Sequence, residues 1–342
     1  MTFSKLFKVI ICGCLYYSGM VAIYHKTLKR KSVTFLAYHK VNNSEDYLPN
    51  TVTINSFIRQ IDLISKNYII ITVNEAIDRI INNNIGNNYL AITFDDGYKD
   101  NYYNVYKILK QLNIKTTVFL TVNPVIDRNN IFNEPICYVI NNTVKYSADL
   151  SKYGIGIYNL ASNEAKSKAG YDIVRKMIPF DKKLRDEIID YLSIILEVKV
   201  PENIVSETIL NKDEIEEMYR NGFTFGAHTL SHPDLKDLDE AMAWEEIDKS
   251  KAKLAAYLGM PIEYFAYPFG SYNDNTVKMV EKAAYKAAFV LDKKGENHAN
   301  VDLFKIKRLC IHENMCASFG GRFSPAIFMS EVTGLLRKFI KQ

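Results

Sequence analysis

The sequence contains no C-x-x-C pair. Its five cysteines, Cys12, Cys14, Cys137, Cys310 and Cys316, make an odd set, which fits neither a disulfide scaffold nor a zinc–thiolate knuckle and favours a reducing compartment. It also lacks a strong excess of either charge. A net charge of +4 with basic residues spread through most of the chain offers no continuous stripe to a nucleic-acid backbone, so nucleic acid is not expected as a partner. No tandem repeat or long low-complexity tract appears, although asparagine is abundant. What the chain has is apolar substance. Its 342 residues are 48% hydrophobic, enough for a sizeable core, and the length suits two average domains or one α/β barrel with insertions.

The N-terminus is hydrophobic from Val9 to Tyr24, with Lys5 and Lys8 before it and Lys26, Lys29, Arg30 and Lys31 after it. Such a segment is expected to associate with a membrane. It falls short of the roughly 20 residues needed to cross a bilayer, although adding Leu6 and Phe7 brings it near the lower limit. Met20-Val21-Ala22-Ile23-Tyr24 makes a poor small-x-small cleavage site, so the segment is expected to be retained. If it spans, the heavier positive flank on its C-terminal side leaves the rest of the chain cytoplasmic. The alternative is a buried or interfacial helix.

After the basic run the pattern alternates. Val33 to Val41 reads as a first core strand ending at His39, Asn55 to Ser65 as a helix, Tyr68 to Thr72 as a strand and Val73 to Ile81 as a helix. The apolar strand Tyr89 to Phe94, a helix from Asn101 to Leu112 and the strand Lys115 to Leu120 follow. Strands alternating with helices imply parallel pairing in a barrel or open sheet. Between about 124 and 210 the pattern loosens into a mainly helical insertion, with Lys182 to Leu196 amphipathic. This part is expected to cover the barrel as a lid or contact surface, or to decorate it.

Three strand ends carry chemistry. Asp95 and Asp96 stand where the strand Tyr89 to Phe94 meets Gly97, the end of a strand at which α/β barrels place their sites. Adjacent aspartates there point different ways, so one can hold a cation while the other acts as a base. His228 and His232 follow the strand Phe223 to Ala227. Four apart, they face one way on a helical turn and can give two imidazole nitrogens to one cation. The third end, Tyr264 to Asp274, is an aromatic wall with a rigid bend at Pro268, and its rings suit sugar faces.

Together these stretches resemble the polysaccharide deacetylases, carbohydrate esterase family four. The carriers are Thr93-Phe94-Asp95-Asp96-Gly97, His228-Thr229-x-x-His232-Pro233 and Tyr267-Pro268-Phe269-Gly270, in family order. Tyr38-His39-x-Val41 is similar to the subgroup acting on exopolysaccharides and surface glycans. The resemblance covers roughly residues 32–315 and implies a distorted (β/α) barrel, so the catalytic domain is expected over 32–323; the mainly helical insertion and the N-terminal hydrophobic helix over 1–31 lie outside the common core. Residues 324–342 are expected as a basic amphipathic helix, with Phe328, Val332, Leu335, Leu336 and Phe339 on one side and Arg337, Lys338 and Lys341 on the other.

The resemblance further makes Asp96, His228 and His232 the ligands of a divalent metal, zinc by default. Asp95 becomes the general base toward the attacking water, and the backbone N–H near Phe269 an oxyanion donor. Tyr267, Pro268, Phe269 and His39 are expected against the substrate, and His312 is expected to be the general acid. One position departs from the pattern. Where many family members carry the arginine that orients the base, this chain has Ala266; Asp95 then needs another partner, which Arg308 or Lys307 could supply from the neighbouring strand, and if neither reaches, the base is poorly tuned and activity low. The implied activity is removal of N-acetyl groups from an amino sugar of a surface polysaccharide, or of a glycolipid or other precursor. An O-acetyl esterase and a non-catalytic glycan-binding module are the alternatives.

Overall fold

The structure is a computed structural model that describes residues 3–29, 31–43, 50–86, 88–128 and 133–339. Helix α1 (Phe3–Tyr17) opens the chain and is followed by strand β1 (Val33–Tyr38), helices α2 (Ile54–Asn67) and α3 (Val73–Ile81), and strands β2 (Tyr89–Phe94) and β3 (Thr117–Leu120). The insertion contains α4 (Asn133–Asn142), α5 (Asn163–Met177) and α6 (Lys182–Ile195). Then come α7 (Lys212–Arg220), β4 (Thr224–Ala227), α8 (Glu240–Leu258), β5 (Tyr264–Ala266), α9 (Asp274–Lys282), β6 (Ala287–Leu291), β7 (Ile306–Cys310) and α10 (Pro325–Val332).

The seven labelled strands pair in chain order, all parallel, and β7 and β2 both pair with β1, so the sheet closes into a barrel. Closure removes the exposed edges of the ring. Alternation along each strand sorts the residues into two sets. Val33, Phe35, Ala91, Phe119, Tyr264, Ala266, Ala287, Phe289 and Ile306 pack inside the barrel, joined by Val73, Ala76, Ile77 and Ile80 of α3. Leu36, Leu90, Ile92, Val118, Phe225, Phe265 and Leu309 belong to the outer cluster beneath the helices. The run Tyr68 to Thr72 does not supply a barrel strand. Only Ile69–Ile70 is extended, beside the start of β2, because β3 takes the place next to Thr93 and Phe94.

The insertion has its own apolar core, built from Ile136, Val139 and Ile140 of α4, Ala169, Ile173 and Met177 of α5, and Ile188 and Leu192 of α6. A small hairpin, Ser147–Asp149 with Ile157–Asn159, completes it. The C-terminal stretch differs from the amphipathic helix expected there. Its helix stops at Val332, Gly334 takes φ 78°, and every residue from Ala326 to Val332 is buried. It is enclosed because α1 covers its outer side, with Cys12 against Ala326, Ile327 and Leu336. Lys341 lies outside the described residues.

Candidate metal centre and active-site pocket

Strand parity builds the site. Ala91 and Thr93 on β2, Ile306 and Arg308 on β7, and Gly226 on β4 share the inward register. A Cβ on Gly226 would stand 2.6 Å from the Phe119 ring. Two residues further along the same parity stand His39, Asp95, His228, Leu291 and Cys310, and all of them line one cavity of about 340 Å³ at the C-terminal mouth of the barrel. Asp96 breaks the alternation. It takes φ 73° and Gly97 takes φ 80°, and this left-handed pair brings the second carboxylate back over the mouth. Only glycine suits the second position, where a Cβ would lie 2.8 Å from Leu120 Cδ2.

Asp96, His228 and His232 converge there, all buried, with one potential ligand atom from each within 4.8 Å of the others. His228 Nε2 and His232 Nε2 lie 3.5 Å and 3.3 Å from Asp96 Oδ1, and that oxygen has no hydrogen-bond partner in the protein. His228 Nδ1 is 2.7 Å from the Ala266 carbonyl oxygen. Donation to that oxygen fixes the tautomer and leaves the Nε2 lone pair facing Asp96. Burial presses both imidazoles below their ordinary range, His228 to about 4 and His232 to about 3, so both are neutral donors at neutral pH. An orphaned buried carboxylate oxygen facing two neutral imidazoles fits a divalent cation and little else.

The two histidines do not lie on one helical turn, as their spacing suggests. Thr229 and His232 take φ 65° and 61°, and the loop between them is pinned from outside. Glu246 of α8 accepts from Leu230 N at 2.8 Å and Ser231 N at 3.0 Å, while Ser231 Oγ donates to its other oxygen at 2.6 Å. Thr229 Oγ1 accepts from His232 N at 3.0 Å. No local sequence signal marks Glu246 for this task.

Asp95 is clamped by Arg308. Nη1 and Nη2 donate to Oδ1 and Oδ2 at 2.6 Å and 2.9 Å, and Nη1 also donates to Thr93 Oγ1 at 3.0 Å. Arg308 is completely buried, with its guanidinium 5.1 Å from the Phe119 ring centre. Burial opposes the charge on Asp95, but Arg308 outweighs it and the carboxyl is held down at about 2. The charge that Ala266 cannot carry thus comes from β7. Parity decides between the two basic candidates, since Lys307 points outward and is exposed.

His39 stands on the other side of the base, Nε2 4.0 Å from Asp95 Oδ2. Burial works against its charge, yet a hydrogen bond with Cys310 and the nearby carboxylates Asp96 and Asp95 hold the imidazole up at about 9. His312 is elsewhere. Its Nδ1 accepts from Met315 N at 3.3 Å at the start of the turn Glu313–Cys316, and its ring lines a different cavity with Lys8, Met315 and Glu331. The strand ends two residues before it. Cys310 is the last inward position, and the chain turns away before His312. Of the aromatic wall only Phe269 reaches the pocket, at φ 59°, its ring 4.7 Å from that of His232. Tyr267 and Pro268 are buried, and Tyr267 packs on Phe265 and Tyr272 instead.

The roof of the pocket comes from the insertion. Tyr171, Val174, Arg175 and Ile178 line it, spaced i, i+3, i+4 and i+7 along α5, while Ala169, Ile173 and Met177 turn into the insertion's own core. That two-faced spacing was available in the sequence as the sign of a covering helix.

The polysaccharide deacetylase family model matches residues 82–136 and 187–288. The chain belongs to the polysaccharide deacetylase family. The matched segments contain Asp95, Asp96, His228, His232 and the Tyr267 loop, and they leave out 137–186, most of the roof. The Staphylococcus aureus poly-beta-1,6-N-acetyl-D-glucosamine N-deacetylase is 28% identical over 122 residues, 33% of this chain and 42% of that one. YxkH of Bacillus subtilis is 19% identical over 234 residues, 68% of this chain and 55% of that protein. The chain therefore aligns with about half the length of these relatives. Among solved structures, the Streptococcus pyogenes deacetylase PplD in complex with acetate superposes with a TM-score of 0.55 at 21% identity, covering 83% of this chain and 94% of that one. IcaB from Ammonifex degensii gives 0.55 at 17%, covering 84% and 94%. At these identities the structures show the fold, and it is the (β/α) barrel of polysaccharide deacetylases.

Proposed function

We propose that this chain is a metal-dependent N-deacetylase acting on an acetamido sugar of a surface polysaccharide or of its biosynthetic precursor. The observation that carries the reading is the pairing of two differently prepared carboxylates. Asp95 is saturated by Arg308, whereas Asp96 Oδ1 is left for a cation beside His228 and His232. A binding module has no use for this division. The substrate class rests on the staphylococcal relative, which is named for poly-N-acetylglucosamine.

Asp96, His228 and His232 would hold the metal, with zinc the best match for one carboxylate and two imidazoles. When bound, a divalent cation lowers the pKa of a water and polarises a carbonyl. Asp95 stays ionised beside Arg308 and accepts the proton of the attacking water. The water oxygen forms its bond to the acetyl carbon, and the C–N bond breaks. His39, held up first by Cys310 and then by Asp96 and Asp95, gives its proton to the departing amine. His39 therefore takes the acid role expected of His312, because it shares the pocket and His312 does not. The Phe269 backbone N–H remains the proposed donor to the oxyanion, and acetate and a free amino sugar are the products.

The test is acetate release from N-acetylated oligosaccharides and lipid-linked acetamido sugars, with chelator and with restored zinc. Chelator-sensitive acetate that disappears in Asp95→Asn is expected. Acetate from O-acetyl esters but from no acetamide, with the same metal dependence, would replace this reading by an esterase on the same fold.

A further inference from the structure

We propose that the outward face of α1 and of the turn after it lies in the plane of an anionic membrane surface. The proposal is independent of the reaction assigned above.

Two facts about α1 conflict unless something covers it. Its inner face is docked. Cys12 and Leu15 are buried, and Lys8 pairs with Glu331 of α10 at 2.7 Å while donating to the Met315 carbonyl oxygen at 3.3 Å. The following turn is anchored too, by His25 Nε2 at 3.0 Å from the Asn67 carbonyl oxygen and by buried Lys29 Nζ at 3.4 Å from Glu296. Yet the outer face is as apolar as the inner. Phe7, Ile10, Cys14 and Tyr17, at i, i+3, i+7 and i+10, form an exposed stripe, and Met20, Ile23 and Leu28 prolong it, with exposures from 47% to 79% among the six large side chains. A helix apolar on all sides belongs in a core or in lipid, and a contiguous exposed stripe of this kind marks a contact surface.

The anchoring decides the geometry. Among the described residues no single helix is long and apolar enough to cross a membrane, and the pair Leu6–Tyr17 and Met20–Leu28 is bent by 71°. A straight span would have to pull Lys8, His25 and Lys29 from their partners. Lying flat keeps all of them and immerses only the outer stripe.

Charge decides the occupant. The first 44 residues contain no Asp or Glu, whereas Lys5, Lys8, Lys26, Lys29, Arg30, Lys31 and Lys40 are basic. Lys26, Lys31 and Lys338 are exposed, and Phe339, 52% exposed, stands beside Lys338. A second copy meeting this face would set cation against cation. An anionic lipid surface satisfies both the apolar stripe and its basic rim.

The experiment is flotation of the full chain with vesicles of phosphatidylcholine alone and of phosphatidylcholine with phosphatidylglycerol. Binding to the anionic vesicles, weakened by salt, is expected, with Cys14 shielded from maleimide in the bound form. Ile10→Glu/Ile23→Glu, which alters only exposed side chains, should lower partitioning by about tenfold or more while leaving the melting temperature unchanged. Lys26→Gln/Lys31→Gln should bind less and lose part of the salt dependence. No partitioning by the folded wild type overturns the proposal, as does partitioning equal in Ile10→Glu/Ile23→Glu. A dimer in solution that this double variant dissolves would assign the face to self-association instead.

Discussion

Arg308 and Asp95 form a fully buried ion pair, and its two members depend on each other unequally. Arg308→Ala leaves a buried carboxylate without compensation, at a cost of about 3–5 kcal/mol, and Asp95 then loses the partner that keeps it ionised. We expect a lower melting temperature and near-complete loss of acetate release. Arg308→Lys keeps the charge but cannot make the two-pronged contact at 2.6 Å and 2.9 Å, so kcat should fall with KM little changed. Parallel steady-state kinetics and thermal melts separate the two. The histidines give a second pair of outcomes. His39→Asn should lower kcat by about 10²–10⁴ with zinc content intact, whereas His312→Asn should stay within a few-fold of wild type, since its ring lies outside the pocket. Equal losses in both would return the acid role to His312.

At the scale of elements, what could be read from the sequence follows strand parity. Asp95, Asp96 and His228 were legible because they directly follow apolar strands, His232 because it stands four residues past His228, and Arg308 because Ala266 left a charge that a neighbouring strand could supply. Two expected positions fall outside the pocket, one because the strand's alternation continues through it and one because the chain has already turned away. Tyr267 faces the helices, as the residue after inward Ala266 must, and His312 lies two residues past the last inward position. Glu246 was illegible because its partners are 15 and 16 residues away and are mostly backbone N–H groups. That helix-to-loop clamp carries its own prediction. Glu246→Ala releases Leu230 and Ser231, lets His232 leave its left-handed conformation, and should weaken zinc binding by about 10–100-fold, measured by competition with a chelating dye. The roof helix α5 predicts a different signature. Tyr171→Ala and Arg175→Ala remove contacts above the pocket without touching the base or the ligands, so KM should rise with kcat nearly unchanged.

For the molecule as a whole, the pocket's groups make the stability of the metal-free protein depend on pH in two opposite ways. His228 and His232 are held at about 4 and 3 when folded, below the value of about 6.5 in an unfolded chain. As pH falls from 6.5 toward 4 the unfolded state binds protons that the folded state refuses, and stability is lost. Buried His25 and half-buried His312 are lowered by the same cause and add to this limb. Asp100 opposes it, because burial raises its carboxyl to about 6 and its contribution recovers as pH falls below that, but it is one group against four. Asp95, held at about 2 when folded against about 3.9 in an unfolded chain, stabilises the folded state near neutrality and adds its own loss to this limb once pH falls below about 5. On the alkaline side His39, raised to about 9, contributes stability that is complete below about 6.5 and is lost as pH rises through 9. Urea midpoints of the chelated protein should therefore peak near neutrality and fall on both sides. Buried Cys12 and Cys316, whose thiols burial pushes up, add a loss as the unfolded thiols ionise above about pH 8, so His39→Asn should flatten the limb between about pH 7 and 8 and leave the acid limb in place; an unchanged fall between about pH 7 and 8 in that variant would show that another group carries it.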